Sequence, residues 1–386
     1  MLHAAVDCPA QMLTLGISRG REAIEEIAGE WDQLVAKTEA AVFTSPGWYV
    51  AWADAFQPRD RDLSVITARQ DGRLIGVLPL SRTRTDARGL YLPLVAPLGY
   101  GDYNPPIVDP AAAAVALPQM LELAFAHFGN RGVYWWPNFP CQDPSLNLFY
   151  NVLAAHGMSH VQESDTASRL RLDGMDFEAV ERSWRPNHRL DIRRRRKRLA
   201  EHGPVSLWQP RTLAEAEPIL QEFFTAYDER WLSQGYPGKF QDPRERLHYR
   251  SMLRRLWGRG LHFSTVRCGS ENLSYHFGFF AGGWLQWYKP THRVQFAAFS
   301  PGKIHIAMLV EEACRSQWKG IDFLLGIEPY KVPWSNETVD VVRIHAAFHP
   351  WAPSYLWFSR GRPYVKRRFV GQYMRTRAML QKWRHR

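Results

Sequence analysis

Cysteine is scarce in this chain. Cys8, Cys141, Cys268 and Cys314 are the only four in 386 residues, and none forms a CxxC pair. This scattering argues against a disulfide framework or a zinc site and fits a reducing cytoplasm. No pair among the 14 histidines stands out as a zinc site, most being read as structural or exposed, so no metal is expected. No run approaches the ~18 consecutive apolar residues that a membrane-spanning helix needs. The opening MLHAAVDCPAQMLTLGISRG has no basic start followed by an apolar stretch, so no signal peptide is expected. The motifs HExxH, GxxxxGK[ST] and GxGxxG are missing, which sets aside zinc peptidases, P-loops and dinucleotide folds, and the one GxSxG spacing, Gly16-Ile17-Ser18-Arg19-Gly20, is not read as a serine-hydrolase elbow. These readings point to a soluble cytoplasmic protein.

Aromatic residues are plentiful, with 16 Trp, 15 Tyr and 20 Phe. Most suit a core, and the surplus of Trp and Tyr also suits a long binding groove. The length is enough for two domains, each with its own core. Charge is uneven. Residues 1–170 hold 12 Lys and Arg against 18 Asp and Glu, whereas residues 171–386 hold 37 against 20. The strongly basic second half is expected to meet something anionic: coenzyme A phosphates, a nucleotide-linked substrate, RNA or a membrane surface. The end, 359–386, carries ten Lys and Arg and no acid, interleaved with Tyr364, Phe369, Tyr373, Met379, Leu380 and Trp383. An anionic membrane, nucleic acid or plain solubility would each explain such a tail.

Periodicity predicts helices over 21–38, 46–56, 115–128, 145–156, 187–201, 212–234 and 300–317. Strands are expected in a hairpin at 63–82 turning at Asp71-Gly72, at 132–136, 168–172, across 261–290, at 321–327 and at 341–348. Each half thus runs helix, helix, antiparallel strands, helix, strand, a faint internal repeat. The expected class is α/β with mixed α+β sheets. The expected units are 1–172, 173–358 and the tail 359–386.

Three stretches stand out. Ser300-Pro301-Gly302-Lys303 opens a helix after the aromatic strand GGWLQWYKP. A strand feeding a helix start presents free N–H groups to an anion, so Ser300, Gly302, Lys303, Ile304 and His305 are candidates for holding a pyrophosphate; an ordinary helix start reads the same. IDFLLGIEPYKVPW, 321–334, follows a buried-type strand with Glu328, Tyr330, Lys331 and Trp334. Arg182, Arg185, Arg189, Arg193 and Arg196 recur at helical spacing, either as a phosphate-binding stripe or as a solvated face.

Together NHRLDIRRRRKRLAEHG, the SPG helix start and DFLLGIEPYK with Trp334 resemble the GNAT-type acetyltransferases of cellulose and exopolysaccharide synthesis, the CelD/BcsL-type family. Their order also resembles the Fem-type aminoacyltransferases, which have two GNAT-like halves. The resemblance implies two tandem GNAT-like domains, with an acyl donor, acetyl-CoA or another acyl-CoA, in a split sheet of the second half. It also implies that Tyr330-Lys331 stands at the acyl-transfer site. The chain departs from simple acetyltransferases in having SPG-K-I-H where they carry [RQ]xxGxG/A. The expected reaction is acyl transfer to an amine or hydroxyl of a sugar, polysaccharide precursor or small molecule. Lys331 is expected near the oxyanion, Tyr330 is expected either to donate a proton or to shape the pocket, and of the carboxylates Glu328 and Asp322 the former, nearer the loop, is the better base. Trp287, Tyr288 and Trp334 are expected to line the acceptor groove, with Asp102-Tyr103 reaching across from the first half. An aminoacyl-tRNA-dependent transferase and a non-catalytic module of a polysaccharide machine are the alternatives.

Overall fold

Asp71 and Gly72 both take positive φ, 50° and 81°. That geometry turns a two-residue hairpin in the hand that twisted strands require. In the computed structural model, which describes residues 12–349 apart from 39–41, 57–58, 60–61 and 88–89, this turn joins two strands of a long sheet. The tail 359–386 and its expected partners lie outside the described residues.

The first half begins with β1 (Leu13–Arg19), α1 (Glu22–Glu26) and α2 (Ala28–Val35). The single helix expected over 21–38 is interrupted at Ile27, just ahead of Gly29. Next come α3 (Pro46–Phe56), β2 (Leu63–Gln70), β3 (Arg73–Ala87), β4 (Leu90–Pro97) and β5 (Ile107–Val108). Then α4 (Ala113–Phe128) leads into β6 (Val133–Pro140), α5 (Ser145–Ala155) and β7 (Ser159–Arg171). The second half holds α6 (Phe177–Ser183), α7 (Pro186–Ala200), β8 (Val205–Trp208), α8 (Leu213–Ser233) and α9 (Pro243–Arg255). It closes with β9 (Leu261–Cys268), β10 (Glu271–Ala281), β11 (Trp284–His292), α10 (Pro301–Arg315), β12 (Gly320–Leu325) and β13 (Glu337–Ala347). Local chemistry marks several helix starts. The side chains of Asp176, Thr212 and Asp242 accept the early amides of α6, α8 and α9, and Pro occupies the first turn of α7, α9 and α10.

The strands form one sheet in the order β1-β2-β3-β4-β6-β13-β7-β12-β11-β10-β9-β8, with β5 beside β3. Each half contributes an antiparallel meander, then a helix, then a parallel neighbour: β4 with β6 through α4, and β11 with β12 through α10. The closing strands are exchanged. β7 pairs with β12, β13 pairs with β6, and the two pair with each other along their length. The halves are therefore joined by backbone hydrogen bonds. Side chains alternate across this sheet. Ala167, Val339, Val341 and Leu324 face the core under α3, α8 and α9, while Leu170, Leu285, Trp287, Ile321 and Phe323 face α10. Val342, Ile344 and Ala346 join the core under α4 and α5.

Candidate functional site

Strands β11 and β12 pair only from Trp284↔Gly320 to Gln286↔Asp322. Beyond that point both run on unpaired with each other, so the sheet opens as a V towards His292 and Leu325. The cause lies in β12. Its register against β7 slips between Asp322 and Leu325, and Leu324 takes φ 61°, the left-handed region that a branched side chain rarely occupies. Such backbone persists only where the surroundings impose it. Here, Asp322 Oδ1 accepts the Leu324 amide at 2.8 Å and Asp102 Oδ2 accepts the Leu325 amide at 3.3 Å. Lys331 Nζ donates to the carbonyls of Leu324, Leu325 and Gly326 at 3.4, 2.7 and 3.1 Å.

Three sequence candidates thus converge on one strained turn, but Lys331 is not open to a ligand. It is 3 % exposed. Its ammonium is occupied by those three carbonyls and by Glu328 Oε2 at 2.7 Å. Glu328 is half exposed. Tyr330 stands 43 % exposed at the mouth of the V. Burial, then the charge of Glu328, pushes its phenol up to about 12.

Lys289, which the sequence reading passed over, has no oxygen partner among the described residues. Its Nζ lies 4.9 Å from the centre of the Tyr288 ring. Burial, helped by repulsion from Lys239, lowers it to about 8, against the pull of Asp102. Burial raises Asp102, against the pull of Lys289. The signal was a lysine inside an otherwise aromatic strand, WLQWYKP. Tyr288 packs against Phe43, Trp48 and Phe279 at 5.7, 5.9 and 5.3 Å.

On the α3 side of the sheet, a cleft of about 530 Å³ lies between the halves, floored by Arg169, Arg171, Trp284, Gln286, Asp322 and Glu337 and walled by Tyr103, Pro105 and Lys37. Asp102 and Tyr103 point to different partners, and the Tyr103 hydroxyl donates to Asp322 Oδ1 and Oδ2 at 3.1 and 3.0 Å. Arg169 Nε donates to Asp322 Oδ2 at 2.8 Å. Burial raises the Asp322 carboxyl against the pull of Arg169 and its hydrogen-bond donors. The guanidiniums of Arg169 and Arg171 lie over the Trp284 ring at 4.9 and 5.2 Å. Arg169, Trp284 and Gln286 were also missed, because only the pairing of β7 with β12 brings them together.

Other candidates are placed elsewhere. Trp287 stacks on His276 at 4.2 Å, and Trp334 is enclosed by Trp184 and His188 at 5.0 and 4.5 Å; both lie in the core behind the sheet, not on the cleft wall. Ile304 and His305 are fully buried on the inner face of α10. The His305 ring bridges Ser264 Oγ and Ser274 Oγ at 3.0 and 2.9 Å, a core role and not a phosphate contact. Ser300, in the left-handed conformation, accepts the amides of Lys303 and Ile304, and its own amide goes to Ala297. Pro301 has no N–H, so the Gly302 amide alone is left from this first turn. A Cβ at Gly302 would meet nothing within 4 Å. Lys303 Nζ pairs with Asp191 at 3.0 Å, and Asp191 also accepts Arg195 at 2.9 Å. In the arginine stripe, Arg182, Arg193 and Arg196 are ion-paired with Glu178, Glu181 and Glu311.

A meander, a crossing helix and a parallel neighbour that splays from its partner are the features to compare with known proteins. Residues 186–332 match the family model for the acetyltransferase (GNAT) domain. The fold is that of the GNAT acyltransferases. Several solved structures superpose on the chain over nearly all of their own length. FemX superposes with TM-score 0.59 at 13 % identity, over 86 % of this chain and 98 % of that one. The C-terminal domain of a putative lysylphosphatidylglycerol synthetase from Agrobacterium fabrum gives 0.55 at 9 %, over 87 % and 95 %. L-PGS from Bacillus licheniformis gives 0.54 at 9 %, over 86 % and 96 %. No curated protein matches the sequence. Among the described residues no cluster of three or more metal-ligating side chains occurs, and no helix is long and apolar enough to cross a membrane. Beside the V between β11 and β12 stand the Asp102 carboxyl, which accepts the Leu325 amide, and Lys289 of β11.

Proposed function

We propose that the chain transfers an acyl group from acyl-CoA to an amine or hydroxyl, with the acyl carbon in the V between β11 and β12 and the acceptor entering from the cleft between the halves. The observation that carries this is that the buried Asp102 and Lys289 act on each other through their charges beside the splayed strands, with no ion pair between them. Attack by the acceptor needs its proton removed, charge on the carbonyl oxygen offset and the leaving thiolate protonated. Asp102, with its raised affinity for a proton, takes the acceptor's proton as the new C–N or C–O bond forms. The Lys289 ammonium, having no oxygen partner, faces the oxyanion. When the C–S bond breaks, Tyr330 at the mouth supplies a proton to the leaving sulfur. Lys331, Glu328 and Asp322 act as positioning residues that hold the turn at Leu324. Tyr103, Arg169, Trp284 and Gln286 receive the acceptor.

Acyl-CoA is the co-substrate of this reading. The residues at the β11–α10 junction fit its diphosphate in one respect: the space around Gly302 is open to a close approach, beside the Lys303 and Arg195 side chains. An aminoacyl-tRNA donor is the second reading. It is favoured by the single amide left at the α10 start, too few for a cradle of N–H groups, and by the likeness in fold to FemX. A glycan acceptor and a CelD/BcsL-type role in exopolysaccharide synthesis belong to the first reading. The test is a donor screen by thermal shift. Coenzyme A at 100 times its Kd should stabilise by about 2.7 kcal/mol. Stabilisation by charged or uncharged tRNA and none by coenzyme A would select the second reading. Neither would refute acyl transfer at this site.

A further inference from the structure

Eleven large apolar side chains are exposed among the described residues, and seven of them lie on the segments that follow β11 and β12 or at the ends of α7 and α8 tied to those strands and segments. Besides Tyr330 these are Leu190, Leu232, Tyr236, Val294, Ile327 and Val332, each between 38 % and 59 % exposed. Their shared position follows from the topology. β11 and β12 are parallel, so the chain leaving each emerges at the same end. The segment after β11, Val294–Phe299, is a short 3-10 helix of composition VQFAAF with no buried residue, and the segment after β12 holds Ile327, Tyr330 and Val332. The C-terminal end of α8 is tied there by Arg230 Nη1 donating to the Pro290 carbonyl at 3.5 Å. The start of α7 is tied there by His188 on Trp334 and by Arg195 Nη1 donating to the Ala298 carbonyl at 3.4 Å.

Exposed apolar residues scattered singly need no explanation, whereas a concentration around an opening marks a surface that leaves water. Its charge selects the occupant. Arg185, Arg189 and Arg230, on the same elements, have no ion pair among the described residues, in contrast to Arg193, Arg194, Arg195 and Arg196 of α7. A second copy would bring these like charges face to face, at a cost. Nucleic acid would offset the charge, but aliphatic Leu190, Leu232, Val294, Ile327 and Val332 offer no stacking platform for bases. An anionic bilayer surface satisfies both halves of the pattern, since aliphatic groups enter the headgroup boundary while guanidiniums meet lipid phosphates.

We infer that this rim docks on an anionic phospholipid surface, bringing the enzyme to acceptors that carry a lipid anchor. The inference rests on the V being the working site only for its second clause; docking itself does not. The rim is made of described residues, and the experiment removes the basic tail. Protein lacking residues 359–386 is co-sedimented with vesicles of phosphatidylcholine containing 30 mol% phosphatidylglycerol (a fraction of about this size supplies the surface potential that attracts basic residues) and with phosphatidylcholine alone. Binding to the anionic vesicles is expected, falling at least tenfold in the triple variant Leu190→Gln, Leu232→Gln, Val294→Gln, with unchanged Tm. A triple variant that partitions as the parent does would overturn the inference. So would absence of binding in the parent, loss of a dimer in light scattering when the three residues change, or RNA binding that falls with them. Turnover on a soluble acceptor is measured alongside. Its failure sinks the proposed reaction and leaves the docking result standing.

Discussion

Replacing Lys331 with methionine separates two roles that the same residue has been given. Sequence pattern puts Lys331 at the oxyanion, where its loss would slow transfer and leave the fold intact. The structure puts its ammonium on the carbonyls of Leu324, Leu325 and Gly326 and on Glu328. Methionine keeps most of the stem's packing, so the effect reports on the ammonium. Breaking one side of a buried ion pair costs about 3–5 kcal/mol, but Glu328 is half exposed and regains water, which lowers the figure. Each buried carbonyl left unpaired adds about 1–3 kcal/mol, less where water reaches it. A net loss of about 2–4 kcal/mol follows. For a chain of this size that lowers Tm by about 2.5–5 °C, at about 1.2 °C per kcal/mol. Removing the strap also frees the turn at Leu324, so turnover should fall with stability. Differential scanning calorimetry beside a thiol-release assay decides it. A Lys331→Met protein with unchanged Tm and lost turnover would refute the structural role and restore the oxyanion role.

Other outcomes follow from the same geometry. Lys289→Met should cut turnover on the order of 10²–10³-fold, with Tm at pH 7 unchanged or higher because a buried ammonium is removed. Lys289 has a folded pKa of about 8, below its unfolded value, so the unfolded chain binds more protons between these values. The wild-type protein should therefore gain stability relative to Lys289→Met as pH rises from about 8 to about 10.4, and a Tm–pH series reads this directly. His305→Ala should lose about 2–3 kcal/mol by orphaning Ser264 and Ser274, with donor affinity unchanged by calorimetry; weakened donor binding without destabilisation would return His305 to the site. Gly302→Val should weaken coenzyme A binding with little change in Tm, because the space it fills is open, and unchanged affinity would put the diphosphate elsewhere.

Local features of the fold were legible in the sequence because they are encoded by neighbours in the chain. The Asp71-Gly72 turn, α3 at Pro46–Phe56 and the Pro301 start of α10 fall where the sequence puts them. Strand β7 was read only over 168–172, since its first part, SHVQESDTA, alternates weakly and gains its order from β13. Helix α9 was missed: its PRERLHYRSMLRR is mostly polar, and only His248, Tyr249, Met252 and Leu253 are buried. The exchange of β7 and β13 leaves no mark in either half alone, because partner choice between distant strands is set by the assembled sheet. The site divides in the same way. Asp102, Asp322 and Lys331 were found as polar residues at strand ends, but which of them is free to meet a ligand depends on the left-handed Leu324. His305 sits one residue beyond Ile304 in a helix whose buried stripe is wide enough to include both.

The most direct test of acyl transfer at the V is thiol release from acetyl-CoA, followed across a panel of amine and hydroxyl acceptors, for wild-type protein beside Lys289→Met and Asp102→Asn. The account expects acceptor-dependent release by the wild-type protein and a fall on the order of 10²-fold or more in both variants at unchanged Tm. Release that proceeds at the wild-type rate in both variants would contradict it.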